Sequence, residues 1–166
     1  MPLAKEAGYI LAIDQASNCA GVSLWHNGSL QAWRTLDSAS PKDPFGKRLA
    51  TQVQQLTEFL AEELPADEEI KVLLFEGVKS SMVLATVGAF CICPQLQGCK
   101  FNPKHSFISA LSWKKWCRDR GATGPFKEIK GVRALRETGW DFEAYPIFSD
   151  DVADSLMIYQ CWRDRK

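Results

Sequence analysis

The run YILAID (Tyr9–Asp14) is apolar until its last residue, an acid. A run this short and this apolar reads as a strand buried on both faces. Ser17, Asn18 and Gly21 supply turn chemistry, after which residues 21–25 resume as a second strand. Asn27-Gly28 is a strong type I′ hairpin signal, and residues 30–36 read as a third strand. The chain therefore opens with an antiparallel meander. A polar loop with two prolines (38–44) leads to a helix in which Leu49, Val53, Leu56, Leu60 and Leu64 recur every three or four positions. That is the spacing of one buried stripe, and Pro65 ends it.

Further along, residues 70–75 form another apolar run that stops at Glu76-Gly77. Residues 80–93 are small and apolar and read as a packed helix ending near Pro94. Residues 100–102 read as a short strand. Two helices follow, 106–118 and 126–138, around a Gly-rich loop at 121–124. The last is 150–163, with Ser149 or Asp150 as its N-cap. The order β-β-β-α-β-α-β-α-α-α describes one mixed α/β domain over residues 1–166.

Three acidic positions stand out from this pattern. Asp14 ends one buried strand and Glu76 another, while Asp151 and Asp154 lie one helical turn apart and project from one face. Asp150 could replace Asp151 if the helix starts one residue differently. Val152, Leu156 and Tyr159 would pin that helix to the sheet. Taken alone, each acid reads as a cap or a solvated group, and Asp151 is expected near a helix N-terminus on dipole grounds. Carboxylates gathered beside a core are costly unless something neutralises them. Mg²⁺, a hard cation that takes oxygen ligands, does so well. Two such ions about 4 Å apart can clamp a phosphodiester. One carboxylate must then bridge them, and Asp14 on the central strand is the candidate.

The segments IDQASNCAGVSLW, LLFEG and DDVADSLMIYQ resemble the three active-site motifs of RuvC-type Holliday-junction resolvases. The resemblance covers nearly the whole chain and implies an RNase H-like fold: a mixed five-stranded sheet, the β1-β2-β3 meander plus parallel strands, flanked by helices. It implies Asp14, Glu76, Asp151 and Asp154 as metal-binding catalytic residues, with two Mg²⁺ or Mn²⁺ ions per site. It further implies a structure-selective endonuclease that nicks four-way or other branched DNA as a homodimer, in a bacterial, phage-infected or organellar setting. Two positions depart from the family. Ala16 stands where Gly is usual, and the short loop after Glu76 has Lys79 where the family carries an aromatic. A DNA-junction binding module without cleavage, and an RNA–DNA hybrid ribonuclease of the same fold, are the alternatives. A hybrid ribonuclease takes its Glu from the first helix, unlike Glu76 at a strand end.

Charge changes the picture by its distribution. The 166 residues carry 20 basic and 20 acidic side chains and no net charge. Segment 58–69 is charged only by acids, whereas 100–136 is dominated by Lys and Arg. A neutral chain can thus present a basic face to phosphates. Lys79, Lys104, Lys114, Lys115, Lys127, Lys130 and Arg133 are the candidate DNA contacts, and Lys127 resembles a basic position that the family sets near the scissile phosphate. Trp113 and Trp116, spaced i, i+3, read as core rather than as stacking platforms.

Of the six cysteines, Cys91, Cys93 and Cys99 with His105 could suggest zinc. No CxxC pair is present, so buried reduced thiols are expected. No apolar run approaches the ~18 residues of a membrane span. Residues 1–8 lack signal-peptide character, and a cytoplasmic protein is expected.

Overall fold

The computed structural model describes residues 4–16, 18–38, 40–77, 81–99 and 106–165. Its strands are β1 (Tyr9–Asp14), β2 (Cys19–His26), β3 (Ser29–Asp37), β4 (Ile70–Glu76) and β5 (Phe107–Ile108). The α-helices are α1 (Phe45–Glu63), α2 (Ser81–Phe90), α3 (Ala110–Arg118), α4 (Gly131–Glu137) and α5 (Asp150–Asp164). The five strands form one sheet in the order β3-β2-β1-β4-β5. The meander β1-β2-β3 is antiparallel, with Asn27 at positive φ in its hairpin turn, whereas β4 runs parallel to β1 and β5 parallel to β4. The expected mixed sheet is present, and β1 is its central strand.

Period-2 alternation divides β1 between two cores. Ile10 and Ala12 face α3, α4 and α5, together with Trp25, Leu74 and Ile108. Leu11 and Ile13 face α1 and α2, joined by Val22, Leu24, Leu56 and Phe90. The apolar stripe of α1 behaves as its spacing predicts, with Leu49, Leu56 and Leu60 buried. By contrast α5 is apolar almost all round: Val152, Ala153, Leu156, Met157, Ile158, Tyr159, Cys161 and Trp162 are all buried. A helix of that kind sits between layers, and α5 contacts the sheet on one side and α3 and α4 on the other. Tyr159 stacks on Trp25 with ring centroids 3.8 Å apart.

Four expectations are corrected. Strand β2 begins at Cys19, two residues before the expected start at Gly21, so Gly21 lies inside the strand rather than where turn and strand meet. Helix α2 ends at Phe90, and a 3₁₀ turn at Pro94–Leu96 follows. Phe107–Ile108 is the sheet's edge strand rather than helix, because its backbone pairs with Phe75 and Glu76. Helix α3 then starts after Ser109, whose hydroxyl accepts from the Ser112 N–H. Finally, 126–138 is no single helix. A 3₁₀ turn, Phe126–Glu128, buries Ile129 before Gly131, at φ +70°, bends the chain into α4. The strand expected at 100–102 lies outside the described residues.

Candidate active site

Parallel pairing of β1 and β4 brings their C-terminal ends to one edge of the sheet, and with them Asp14 and Glu76. Open α/β sheets present ligand sites at such an edge. Gln15 ties the two ends together: its Nε2 donates to the Glu76 main-chain oxygen, and its Oε1 accepts from the Glu76 N–H at 3.1 Å. On the far side of Glu76, the buried Trp113 donates from Nε1 to Glu76 Oε2 at 2.9 Å. Trp113 is thus a core residue, as its spacing predicts, and also fixes the direction of the carboxylate.

The N-terminus of α5 reaches the same edge through a glycine. Gly21 pairs with Asp14 across the sheet. A Cβ at Gly21 would lie 2.1 Å from the main-chain carbon and oxygen of Asp151 and 2.4 Å from Val152 N. Helix backbone therefore rests directly on strand backbone, which only glycine allows. Ser149 caps α5 by accepting from the Val152 N–H, and its hydroxyl also accepts from Thr35 on β3 at 3.0 Å. With the helix start fixed in this way, Asp151 faces Cys19 and Asp154 faces Asp14 and Glu76. Asp150 turns away: its Oδ1 accepts the Val132 N–H at 2.9 Å and caps α4. The Gly131 N–H donates to Asp154 Oδ1 at 2.7 Å.

Electrostatics shows how closely the acids are set. Burial, then repulsion from Asp154, Glu76 and Asp151, and a hydrogen bond with Glu76, push Asp14 from 3.8 to about 9. Burial, with repulsion from Glu76, Asp151 and Asp150, raises Asp154 to about 7 against the opposing pull of the Gly131 N–H. Burial and the Asp151 carboxylate drive the Cys19 thiol to about 12, so it stays protonated.

This donor set fits a hard divalent cation. It offers carboxylate oxygens alone, and a cation would offset the burial and the mutual repulsion that raise Asp14. Among the described residues no group of three or more His, Cys, Asp or Glu side chains is set to hold a metal ion, so the fit rests on the chemistry of the donors. The carboxylates are gathered at one sheet edge, where burial and the neighbouring acids raise Asp14. The same absence applies to zinc among the described cysteines; His105 lies outside the described residues.

A stability prediction follows from these shifts. Asp14 and Asp154 hold protons in the folded state that the unfolded chain releases near its ordinary 3.8. Folding takes up protons between the two values, so stability is fully present below about pH 4 and declines as pH rises. The decline runs to about 7 for Asp154 and about 9 for Asp14. In EDTA the melting temperature is expected to fall between pH 5 and pH 8.5, and 10 mM Mg²⁺ (on the order of a thousandfold above a ~10 µM site) to restore it. A flat thermal profile in EDTA would remove the buried proton from the site.

The basic candidates are not equivalent. Lys127, in the 3₁₀ turn, and Lys130, next to Gly131, are exposed. Lys114 Nζ lies 5.5 Å from the centroid of the Trp113 ring, whose indole N–H donates to Glu76. Arg133 is paired with Glu137 at 3.1 Å. Lys115 lies in a cleft with Asp164 and Arg165 at the other end of α5, about 20 Å along the helix from Asp151. Lys79 and Lys104 lie outside the described residues. A cavity of about 500 Å³ lined by Leu60, Leu64, Glu68 and Pro94 opens near the start of β4, away from the carboxylates.

No family model matches the chain, and no curated protein does. Solved structures do. Thermus thermophilus RuvC in complex with a Holliday junction substrate superposes with a TM-score of 0.59 at 13% identity, covering 93% of this chain and 91% of that one. A second Thermus thermophilus RuvC structure gives 0.58 at 15%, covering 92% of each. The fold is that of RuvC. On this RuvC fold the ends of β1 and β4 and the start of α5 meet at one edge, where the three sequence motifs place their acids. Gln15, Gly21, Gly131 and Trp113 are the supporting residues that the motifs alone did not mark as such. For Gly21 a signal existed: a glycine inside a strand marks close backbone approach.

Proposed function

We propose that the chain is a metal-dependent endonuclease that hydrolyses phosphodiester bonds in branched DNA, four-way junctions foremost. The observation that carries this reading is the convergence of Asp14, Glu76, Asp151 and Asp154, mutually repelling and partly buried, at one edge of a RuvC-type sheet. These four would hold Mg²⁺ or Mn²⁺, two ions per site. Bound there, the metal supplies an acidified water and neutralises charge on the phosphate. The protein's part is positional. Gln15 and Trp113 fix Glu76, Gly21 lets α5 approach, and the Gly131 N–H orients Asp154. Lys127 and Lys130, exposed beside that helix start, would draw the backbone phosphates in.

Substrate choice tests the reading. A labelled four-way junction, a plain duplex and an RNA–DNA hybrid are incubated with Mg²⁺. The junction is expected to be nicked and the other two left intact. Cleavage of the hybrid alone would make the protein a ribonuclease, and a junction shifted but uncut would make it a binding module. Lys127→Ala is expected to weaken junction binding and lower the slope of log affinity against log salt by about 1. An unchanged slope would take Lys127 off the DNA.

Paired nicking needs two sites, and a homodimer of this single nuclease domain would supply them. An apolar groove of about 380 Å³ lined by Leu49, Val53, Ala89 and Ile92 is one surface through which two copies could meet. Sedimentation at low micromolar concentration decides between monomer and dimer. No described helix is long and apolar enough to cross a membrane, which is compatible with DNA in the cytoplasm as the substrate.

A further inference from the structure

Phe148 is 88% exposed, the most exposed of the large apolar side chains among the described residues. Hydrophobic burial ordinarily favours hiding such a ring, and a position just before a helix is one where a ring is commonly hidden. Phe148 precedes Ser149, the N-cap of α5. An apolar residue there commonly folds onto the fourth helical residue as a hydrophobic staple. Here that residue is Ala153, which the packing around α5 already buries completely and which leaves nothing for the ring to cover. Ile147 on one side is 1% exposed and anchors the strap in the core. Ser149 on the other is held in extended backbone by its cap and by Thr35. Successive side chains of extended backbone point oppositely, so burying Ile147 turns Phe148 outward. Nearby aromatics are engaged with one another: Trp33 with Tyr145, Trp140 with Tyr145, and Trp25 with Tyr159. Among the described aromatic residues Phe148 alone is exposed.

Its position gives the exposure a use. Three peptide steps separate Phe148 from Asp151, so their Cα atoms are at most about 11 Å apart. That is the length of about three stacked nucleotides at 3.4 Å each. Lys130 lies on the same side, where Gly131 meets Asp150. A flat apolar ring beside a phosphate-attracting cation is the combination that holds single-stranded or unpaired nucleotides. Fully paired duplex hides its base faces, whereas a branch point exposes them.

We infer that Phe148 is a base-stacking platform that engages an unpaired nucleobase at the branch point and sets the scissile phosphate against the carboxylates. The inference rests on the nuclease reading of the same site, and its test separates the two. A four-way DNA junction carrying 2-aminopurine at its centre is titrated with Asp14→Asn protein, so that the substrate stays whole. The variants are Asp14→Asn alone and Asp14→Asn combined with F148A or F148W. Asp14→Asn and the F148W form are expected to change the fluorescence alike. The F148A form is expected to lose that response and to bind about tenfold more weakly, the scale of one lost base stack. Its melting temperature should match that of Asp14→Asn, since the ring supports no core. In the otherwise wild-type chain, F148A should lower kcat/KM for the junction about tenfold.

An F148A form that gives the full fluorescence response and unchanged affinity overturns the inference, as does a junction that gives no response with any form. A response that depends on the ring, in a protein that cuts nothing with Mg²⁺, keeps the platform and discards the nuclease. Junction cleavage at the wild-type rate by F148A, with an undiminished fluorescence response, does the reverse.

Discussion

Asp14→Asn is expected to reduce junction cleavage by about a thousandfold or more while leaving junction binding within about twofold. The first figure corresponds to several kcal/mol of lost charge stabilisation at the phosphate. Asn keeps the shape of Asp and removes the charge at the centre of the acidic group. Burial and three neighbouring acids push Asp14 to about 9, so this is the carboxylate with most to gain from a cation. The same substitution has an opposite effect on the metal-free fold. Asn never ionises, so the stability that wild type loses with rising pH through Asp14 is retained. In EDTA at pH 8 the variant should melt above wild type, and Mg²⁺ should raise the melting temperature of wild type more than that of the variant. Cleavage and stability thus move in opposite directions, which a simple folding defect cannot produce.

The second large effect is expected at Gly21, which bears no functional group. Gly21→Ala places a Cβ 2.1 Å from the Asp151 main chain, and real Cβ contacts stay above 3.0 Å, so the start of α5 must retreat by about 1 Å. Overpacking of this kind costs about 1–3 kcal/mol, or roughly 3–10 °C in melting temperature for a chain of this size. The catalytic cost is expected to exceed the structural one. A misplacement of about 1 Å can cost about a hundredfold in rate, and this shift carries Asp151 and Asp154 away from Asp14. Gly21 is in extended backbone and not at positive φ, so Ala meets a steric objection alone. Junction cleavage and thermal melting measure the two effects, and wild-type turnover by Gly21→Ala would show that the close approach is not needed.

These two residues also mark how far the chain could be read before its structure. Asp14, Glu76, Asp151 and Asp154 were legible because each sits at a position the hydrophobic pattern defines: the end of an apolar run, or one turn of an apolar helix. The meander, the α1 stripe and the last helix were legible for the same reason. Gly21 was visible as the glycine where turn and strand meet, but its close approach was not, because the pattern does not say which backbone will lie across it. Gln15 and Trp113 act on Glu76 from 61 and 37 residues away in sequence, and no local period encodes such distances. Strand β5 escaped because Phe107–Ile108 is too short for alternation to appear, and its state is set by the free edge of β4. Gly131 escaped because its role, a bend that carries an N–H to Asp154, belongs to the packing of α4 on α5.

Asp150 and Asp151 show the same division between local and tertiary information. Helical spacing allowed either to partner Asp154. Packing decided between them, since the Asp150 carboxylate is taken by the first turn of α4 and Asp151 is left facing Cys19 and the acidic group.

The most direct test of the account is cleavage of a 5′-labelled four-way junction by the wild-type protein, resolved on a denaturing gel, with Mg²⁺ and with EDTA. Paired nicks in opposing strands with Mg²⁺, leaving 5′-phosphate ends, and none in EDTA, are the predicted result. An uncut junction in Mg²⁺ and Mn²⁺ alike, or equal cleavage in EDTA, would contradict it.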